Sequence, residues 1–122
     1  MNICVIGTGY VGLVAGTGLS DFGMNVTCID KDENKIESLK RGEVPIYELG
    51  LRELIARNVK LERLHFSTNL EEAVGRCLVI FLALGTPELP DGSVDMRDTF
   101  EVVTRIARCM KEYKIIAIKS TV

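Results

Sequence analysis

The stretch NICVIGTGYVG, residues 2–12, decides how the rest of the chain is read. Asn2 to Ile6 is a short apolar run without alternation, the pattern of a strand buried on both faces. Gly7, Gly9 and Gly12 follow it at once as GxGxxG, and the residues after them keep helical spacing. In that context each glycine has its own use. Gly7 permits a tight turn, Gly9 removes a side chain where a ligand approaches the backbone, and Gly12 lets helix and strand pack closely. Free N–H groups at the helix start, with their partial positive charge, then favour a phosphate. Packing alone is the competing use of these glycines, as expected for Gly16 and Gly18 in the same helix.

Working outward, apolar runs alternate with helical patterns, without a repeat or low-complexity tract. The first helix ends near Gly23, Val26 to Asp30 is a second strand, and Asp32 to Lys40 is a helix that turns Ile36 and Leu39 inward. After Gly42 and Pro45 comes an irregular excursion with a short helix over Leu51 to Arg57. Leu64 to Ser67 reads as a third strand, and Asn69 caps a helix through Val74. Cys77 to Leu84 is a central strand, closed by Gly85-Thr86-Pro87. Asp95 is expected to cap a helix to about Glu112, with Phe100, Val103, Ile106, Ala107 and Met110 inward. Ile115 to Ile118 is a fifth strand. Right-handed crossovers arrange these as an α/β, Rossmann-type doubly wound parallel sheet in the order 3-2-1-4-5, with the ligand crevice at the switch between strands one and four.

The 122 residues suffice for one domain with its own core, and 47% hydrophobic with 26% charged residues is the balance of a globular chain. No apolar run approaches the roughly 20 residues of a spanning helix, and the start lacks a signal-peptide pattern, so a cytoplasmic location without membrane contact is expected. A net charge of −2 with both signs dispersed argues against nucleic acid. Cys4, Cys28, Cys77 and Cys109 form no CxxC pair and are expected as free thiols rather than disulfides or metal ligands. His65, the sole histidine, falls in the third strand and is read as structural.

Asp30 closes the second strand, where an acid accepts hydrogen bonds from the adenosine ribose hydroxyls of a dinucleotide. A carboxylate there repels a ribose phosphate, so NAD is expected over NADP. Lys31 beside it is the one residue arguing the other way.

With these residues placed, the chain resembles the amino-terminal domain of the UDP-glucose and GDP-mannose dehydrogenases, the UDP-glucose branch most closely. The resemblance rests on IGTGYVGLV (6–14), IDKDENKI (29–36), PIYELGL (45–51), GTP (85–87), DGSVDM (91–96) and KSTV (119–122). By matching position it implies cofactor contacts at Gly7, Gly9, Tyr10, Val11, Gly12, Asp30, Lys35, Thr86 and Thr121. Val11 serves through its backbone N–H or, alternatively, packs in the core. Lys35 reaches the adenosine ribose or phosphate, or else is a solvated helix charge. Thr86 bonds the nicotinamide-side ribose, or only ends a strand. Thr121 borders the nicotinamide and the reacting sugar. Tyr47 and Glu48 are read as helix-start packing and a helix-dipole charge. Leu49 stands where the family has proline, and Glu88-Leu89-Pro90 replaces commoner small polar residues.

The resemblance further implies oxidation of a nucleotide-sugar primary alcohol to a carboxylate with two NAD, through a cysteine thiol that none of the four cysteines here matches. Residues 1–122 are therefore expected to be the cofactor domain of a longer, homo-oligomeric enzyme, unable alone to turn over UDP-glucose. GDP-mannose, UDP-N-acetylmannosamine or a small hydroxyacid as substrate, and a non-enzymatic NAD-sensing module, remain as alternatives.

Overall fold

Strands apolar on both faces demand helices on both faces, and the chain supplies them. A computed structural model describes residues 1–118. Its elements are β1 (Asn2–Ile6), α1 (Tyr10–Asp21), β2 (Asn25–Ile29), α2 (Glu33–Lys40), α3 (Leu51–Lys60), β3 (Leu64–Ser67), α4 (Leu70–Arg76), β4 (Val79–Leu82), α5 (Arg97–Cys109) and β5 (Ile115–Ile118). The strands pair in parallel in the order β3-β2-β1-β4-β5, as expected. Thr121 and the rest of the KSTV segment lie outside the described residues.

Side chains of β1 alternate between two cores. Ile3 and Val5 join Val26, Cys28, Leu64 and Phe66 beneath Leu13 of α1, Ile36 and Leu39 of α2, and Ile55 of α3. Cys4 and Ile6 join Ile29, Ile80 and Leu82 beneath Leu70, Ala73 and Val74 of α4 and Ile106 of α5. Burying each Leu or Ile contributes roughly 1.5–3 kcal/mol, which holds the carboxyl ends of β1, β2 and β4 level beside one another.

Local signals set most boundaries. Gly23, at φ +104°, ends α1: its N–H reaches the Ser20 carbonyl at 2.9 Å, while the Met24 N–H reaches Leu19 at 3.2 Å. Asp32 caps α2 by accepting from the Lys35 N–H at 3.2 Å, and Asn69 caps α4 through the Glu72 N–H at 3.1 Å.

Several expectations are corrected. β2 starts at Asn25 and ends at Ile29, which leaves Asp30 just past it in the crevice. α3 continues to Lys60, and β4 is limited to Val79–Leu82, with Cys77 serving as the cap of α4. Gly16 does pack closely, since a Cβ there would lie 2.7 Å from the Cys28 sulfur, whereas a Cβ on Gly18 would meet nothing within 4 Å. Asp95 does not cap α5, which starts at Arg97 and stops at Cys109. Its carboxylate instead accepts from the Arg97 guanidinium at 2.7 Å and the Arg97 N–H at 3.0 Å, which holds its pKa down at about 2.

The inward face of α5 is as expected at Ile106 and Met110 but not elsewhere. Thr99 and Ile106 are buried, and Val102, Cys109 and Met110 pack with them, but Phe100, Val103 and Ala107 are exposed. α5 carries one broad apolar face, and only the half bearing Thr99, Val102 and Ile106 meets the sheet, while the half bearing Phe100, Val103 and Ala107 stays exposed.

Candidate dinucleotide-binding site

The turn after β1 is held by its glycines. Gly7 adopts φ +106° and donates its N–H to the Ile29 carbonyl at 2.7 Å; a Cβ on it would lie 2.4 Å from the Ala83 carbonyl oxygen. A Cβ on Gly12 would lie 1.9 Å from the Gly7 carbonyl oxygen, so α1 approaches the turn as closely as backbone allows. Gly9 differs from both: its φ is an ordinary −74°, and a Cβ would meet nothing within 4 Å. The space beside it is open, as a backbone approached by a ligand requires.

α1 begins there without a side-chain cap and without an acid in its first turn. Its first backbone bond runs from the Leu13 N–H to the Gly9 carbonyl at 2.9 Å, so the N–H groups of Tyr10, Val11 and Gly12 have no partner within the helix. A helix start built this way suits an anion. Val11 and Tyr10 are both exposed, so the core alternative for the Val11 side chain is not realised. The Tyr10 hydroxyl donates to Glu48 at 2.8 Å.

Asp30 lies across the turn with a side chain only 16% exposed. Its Oδ2 accepts from the Thr8 hydroxyl at 2.7 Å and the Thr8 N–H at 3.1 Å, and its Oδ1 accepts from the Asp32 N–H at 3.1 Å. The Lys35 ammonium stands 3.6 Å from Oδ2, so Lys35 is neither remote nor fully solvated. Burial opposes ionisation of Asp30, but these hydrogen bonds and the ammonium outweigh it and hold the carboxyl below its ordinary value. Lys31, the argument for a ribose phosphate, is paired with Asp98 of α5 at 3.3 Å, and both line the cavity beside Asp30.

Between Asp30 and α5 opens a cavity of about 100 Å³, with Ile6, Gly7, Ile29, Leu84 and Val102 among its walls. It is mostly apolar and sits at the carboxyl ends of β1, β2 and β4, the switch point of the sheet. Thr86, half-buried, follows just past β4, whose end is tied to β1 by the Ala83 N–H on the Ile6 carbonyl at 2.8 Å. The 85–96 loop closes on itself through an antiparallel bridge between Glu88 and Val94, which accommodates the Glu88-Leu89-Pro90 departure.

Thr8, which no motif marks, and Glu48, expected in another role, both hold residues of the site. Thr8, between two of the glycines, is fully buried against Asp30, and its hydroxyl was the available signal. Glu48 is no helix-dipole charge but the partner of Tyr10, and Tyr47 packs on nothing, being 94% exposed. His65, on edge strand β3, donates its Nε2–H to the Glu62 carbonyl at 3.0 Å. That position is remote from the crevice, as expected.

A parallel sheet in this order, with an uncapped helix start after a glycine turn and a fixed acid at the end of the next strand, defines the cofactor domain of a dinucleotide-dependent dehydrogenase. The chain belongs to the UDP-glucose/GDP-mannose dehydrogenase family, whose NAD binding domain model matches residues 1–122. It is 45% identical to the UDP-glucose 6-dehydrogenase YwqF of Bacillus subtilis over 122 residues, all of this chain and 28% of that protein. A UDP-glucose 6-dehydrogenase of Rhizobium meliloti is likewise 45% identical, again with 28% of its length covered. The crystal structure of a GDP-mannose dehydrogenase from Pseudomonas aeruginosa superposes with a TM-score of 0.95 at 32% identity, over 100% of this chain and 29% of that one. The chain thus spans under a third of the relatives it matches. The cofactor of the domain is NAD, and the open cradle at Gly9 with the uncapped start of α1 fits it.

Proposed function

We propose that residues 1–122 are the NAD-binding domain of a nucleotide-sugar dehydrogenase that oxidises the primary alcohol of UDP-glucose to the carboxylate. The observation that carries the cofactor half is the uncapped N-terminus of α1 beside open space at Gly9, facing a carboxylate already fixed at Asp30. The higher identity to UDP-glucose enzymes supports the sugar.

In this reading Gly7 and Gly12 shape the phosphate turn, and the N–H groups of Tyr10, Val11 and Gly12 hold the pyrophosphate. Asp30 accepts from an adenosine ribose hydroxyl, Lys35 adds a positive charge beside it, and Thr86 and Thr121 serve the nicotinamide end. Bound NAD supplies the oxidising equivalents, while this chain contributes orientation and electrostatics. Cys4, Cys28 and Cys77 are buried, burial pushes the Cys28 thiol up to about 12, and the half-buried Cys109 ends α5, whose crevice-lining residues Asp98 to Arg105 lie toward its other end. A nucleophile needs a thiolate within reach of substrate, so the reacting thiol lies elsewhere in the proposed enzyme. Four unpaired cysteines favour a reducing, cytoplasmic setting, and among the described residues no helix is long and apolar enough to cross a membrane. A homo-oligomeric full-length enzyme is part of the proposal.

Calorimetric titration with NADH and NADPH tests it, repeated on Asp30→Ala. NADH is expected to bind more tightly, and the substitution to weaken it. Equal affinity for both nucleotides refutes the role of Asp30. The purified chain is expected to form no NADH from UDP-glucose and NAD; NADH production would overturn the placement of the reacting thiol.

A further inference from the structure

Thr8 is 0% exposed, yet a valine of the same shape would fill its place as well. A buried hydroxyl needs a partner, and this one donates at 2.7 Å to Asp30 Oδ2. The Thr8 N–H converges on the same oxygen at 3.1 Å. A carboxylate has about four acceptor positions. Thr8 takes both on Oδ2, with the Lys35 ammonium standing 3.6 Å away, and the Asp32 N–H takes one on Oδ1 at 3.1 Å. What remains is a single acceptor position on Oδ1, on a carboxylate that cannot rotate without breaking bonds to the phosphate turn.

We propose that Thr8 is a positioning and specificity-determining residue for the cofactor: its hydroxyl locks the Asp30 carboxylate so that it accepts a ribose hydroxyl and cannot swing aside for a ribose phosphate. The inference rests on the cofactor reading above and deepens it. Two consequences distinguish it from a packing role. Discrimination between the two nucleotides depends on the hydroxyl, because a carboxylate freed from it can turn its charge away from a 2′-phosphate. Shape without the hydroxyl is not enough.

The test is calorimetric titration of the wild-type chain, Thr8→Val and Thr8→Ser with NADH and with NADPH. A hydrogen bond to a charged group is strong enough that its loss is expected to weaken NADH binding about tenfold in Thr8→Val. NADPH is expected to change less than about threefold, so the preference narrows, whereas Thr8→Ser keeps the donor and stays within about twofold of wild type for both. Far-UV circular dichroism checks folding; if Thr8→Val does not fold, Thr8→Ala against Thr8→Ser makes the same comparison. Unchanged NADH affinity in Thr8→Val, or an equal loss for both nucleotides, overturns the inference and leaves the cofactor site standing. A wild-type chain that binds neither nucleotide removes the cofactor reading itself, and the inference with it.

Discussion

Gly9 and Gly12 belong to one motif, but the structure gives them opposite costs when each is replaced by alanine. In Gly12→Ala the new Cβ would lie 1.9 Å from the Gly7 carbonyl oxygen and 3.0 Å from its carbon, both backbone atoms that cannot rotate aside. Overpacking of this kind costs about 3 kcal/mol at the upper end of its usual range, and alanine returns about 1 kcal/mol of helix propensity, for a net loss of about 2 kcal/mol. For 122 residues the unfolding entropy is about 0.26 kcal/mol per degree, so Tm falls by about 8 °C. In Gly9→Ala the Cβ meets nothing within 4 Å, and φ −74°, ψ −168° is open to alanine. A poorer N-cap costs about 0.5–1 kcal/mol, and the stiffer unfolded chain returns about as much, so Tm stays within about 3 °C. The same methyl, however, occupies the space proposed for the pyrophosphate, and NADH affinity is expected to fall at least about tenfold, or 1.4 kcal/mol. Thermal melts followed by circular dichroism, paired with NADH titrations, read both effects. The reasoning is refuted if Gly9→Ala melts as low as Gly12→Ala, or if it binds NADH as wild type does.

Three further outcomes follow from the geometry. Asp30 has a folded pKa below its unfolded value of about 3.9, so its ionised form, and the stability linked to it, is complete above about pH 4 and lost as pH falls through the folded value. NAD affinity should therefore be flat from about pH 8 to about pH 5; a decline centred between those values contradicts the assigned environment. Cys109 is the one half-buried thiol and the other three cysteines are buried, so native-state labelling with a disulfide reagent at about pH 8 should react first at Cys109. Persistence of the fast phase in Cys109→Ser would contradict this. The exposed apolar residues Phe100 and Val103 of α5 and Ile115, Ile116 and Ile118 of β5 form surface expected to drive self-association, and Phe100→Ser with Ile118→Ser should reduce it with a stability change within about 1 kcal/mol. A monodisperse wild-type monomer by light scattering at high concentration would argue against it.

Much of this protein was determined by sequence alone, because its signals are local. A glycine must stand where φ is positive or where two backbones touch, as at Gly7 and Gly12, and a helix must cap where Asp32 and Asn69 sit. Buried parallel strands read as unbroken apolar runs, and the handedness of crossovers then leaves few strand orders. Tertiary structure alone decided which edge of the broad apolar face of α5 meets the sheet, the one with Val102 rather than the one with Phe100, because that depends on what stands opposite. It also decided that Tyr10 meets Glu48 and that Thr8 meets Asp30, contacts between residues 38 and 22 positions apart. Hydrogen-bond partners across such distances are chosen by how the strands bring their ends together, and no pattern within the chain encodes that pairing locally.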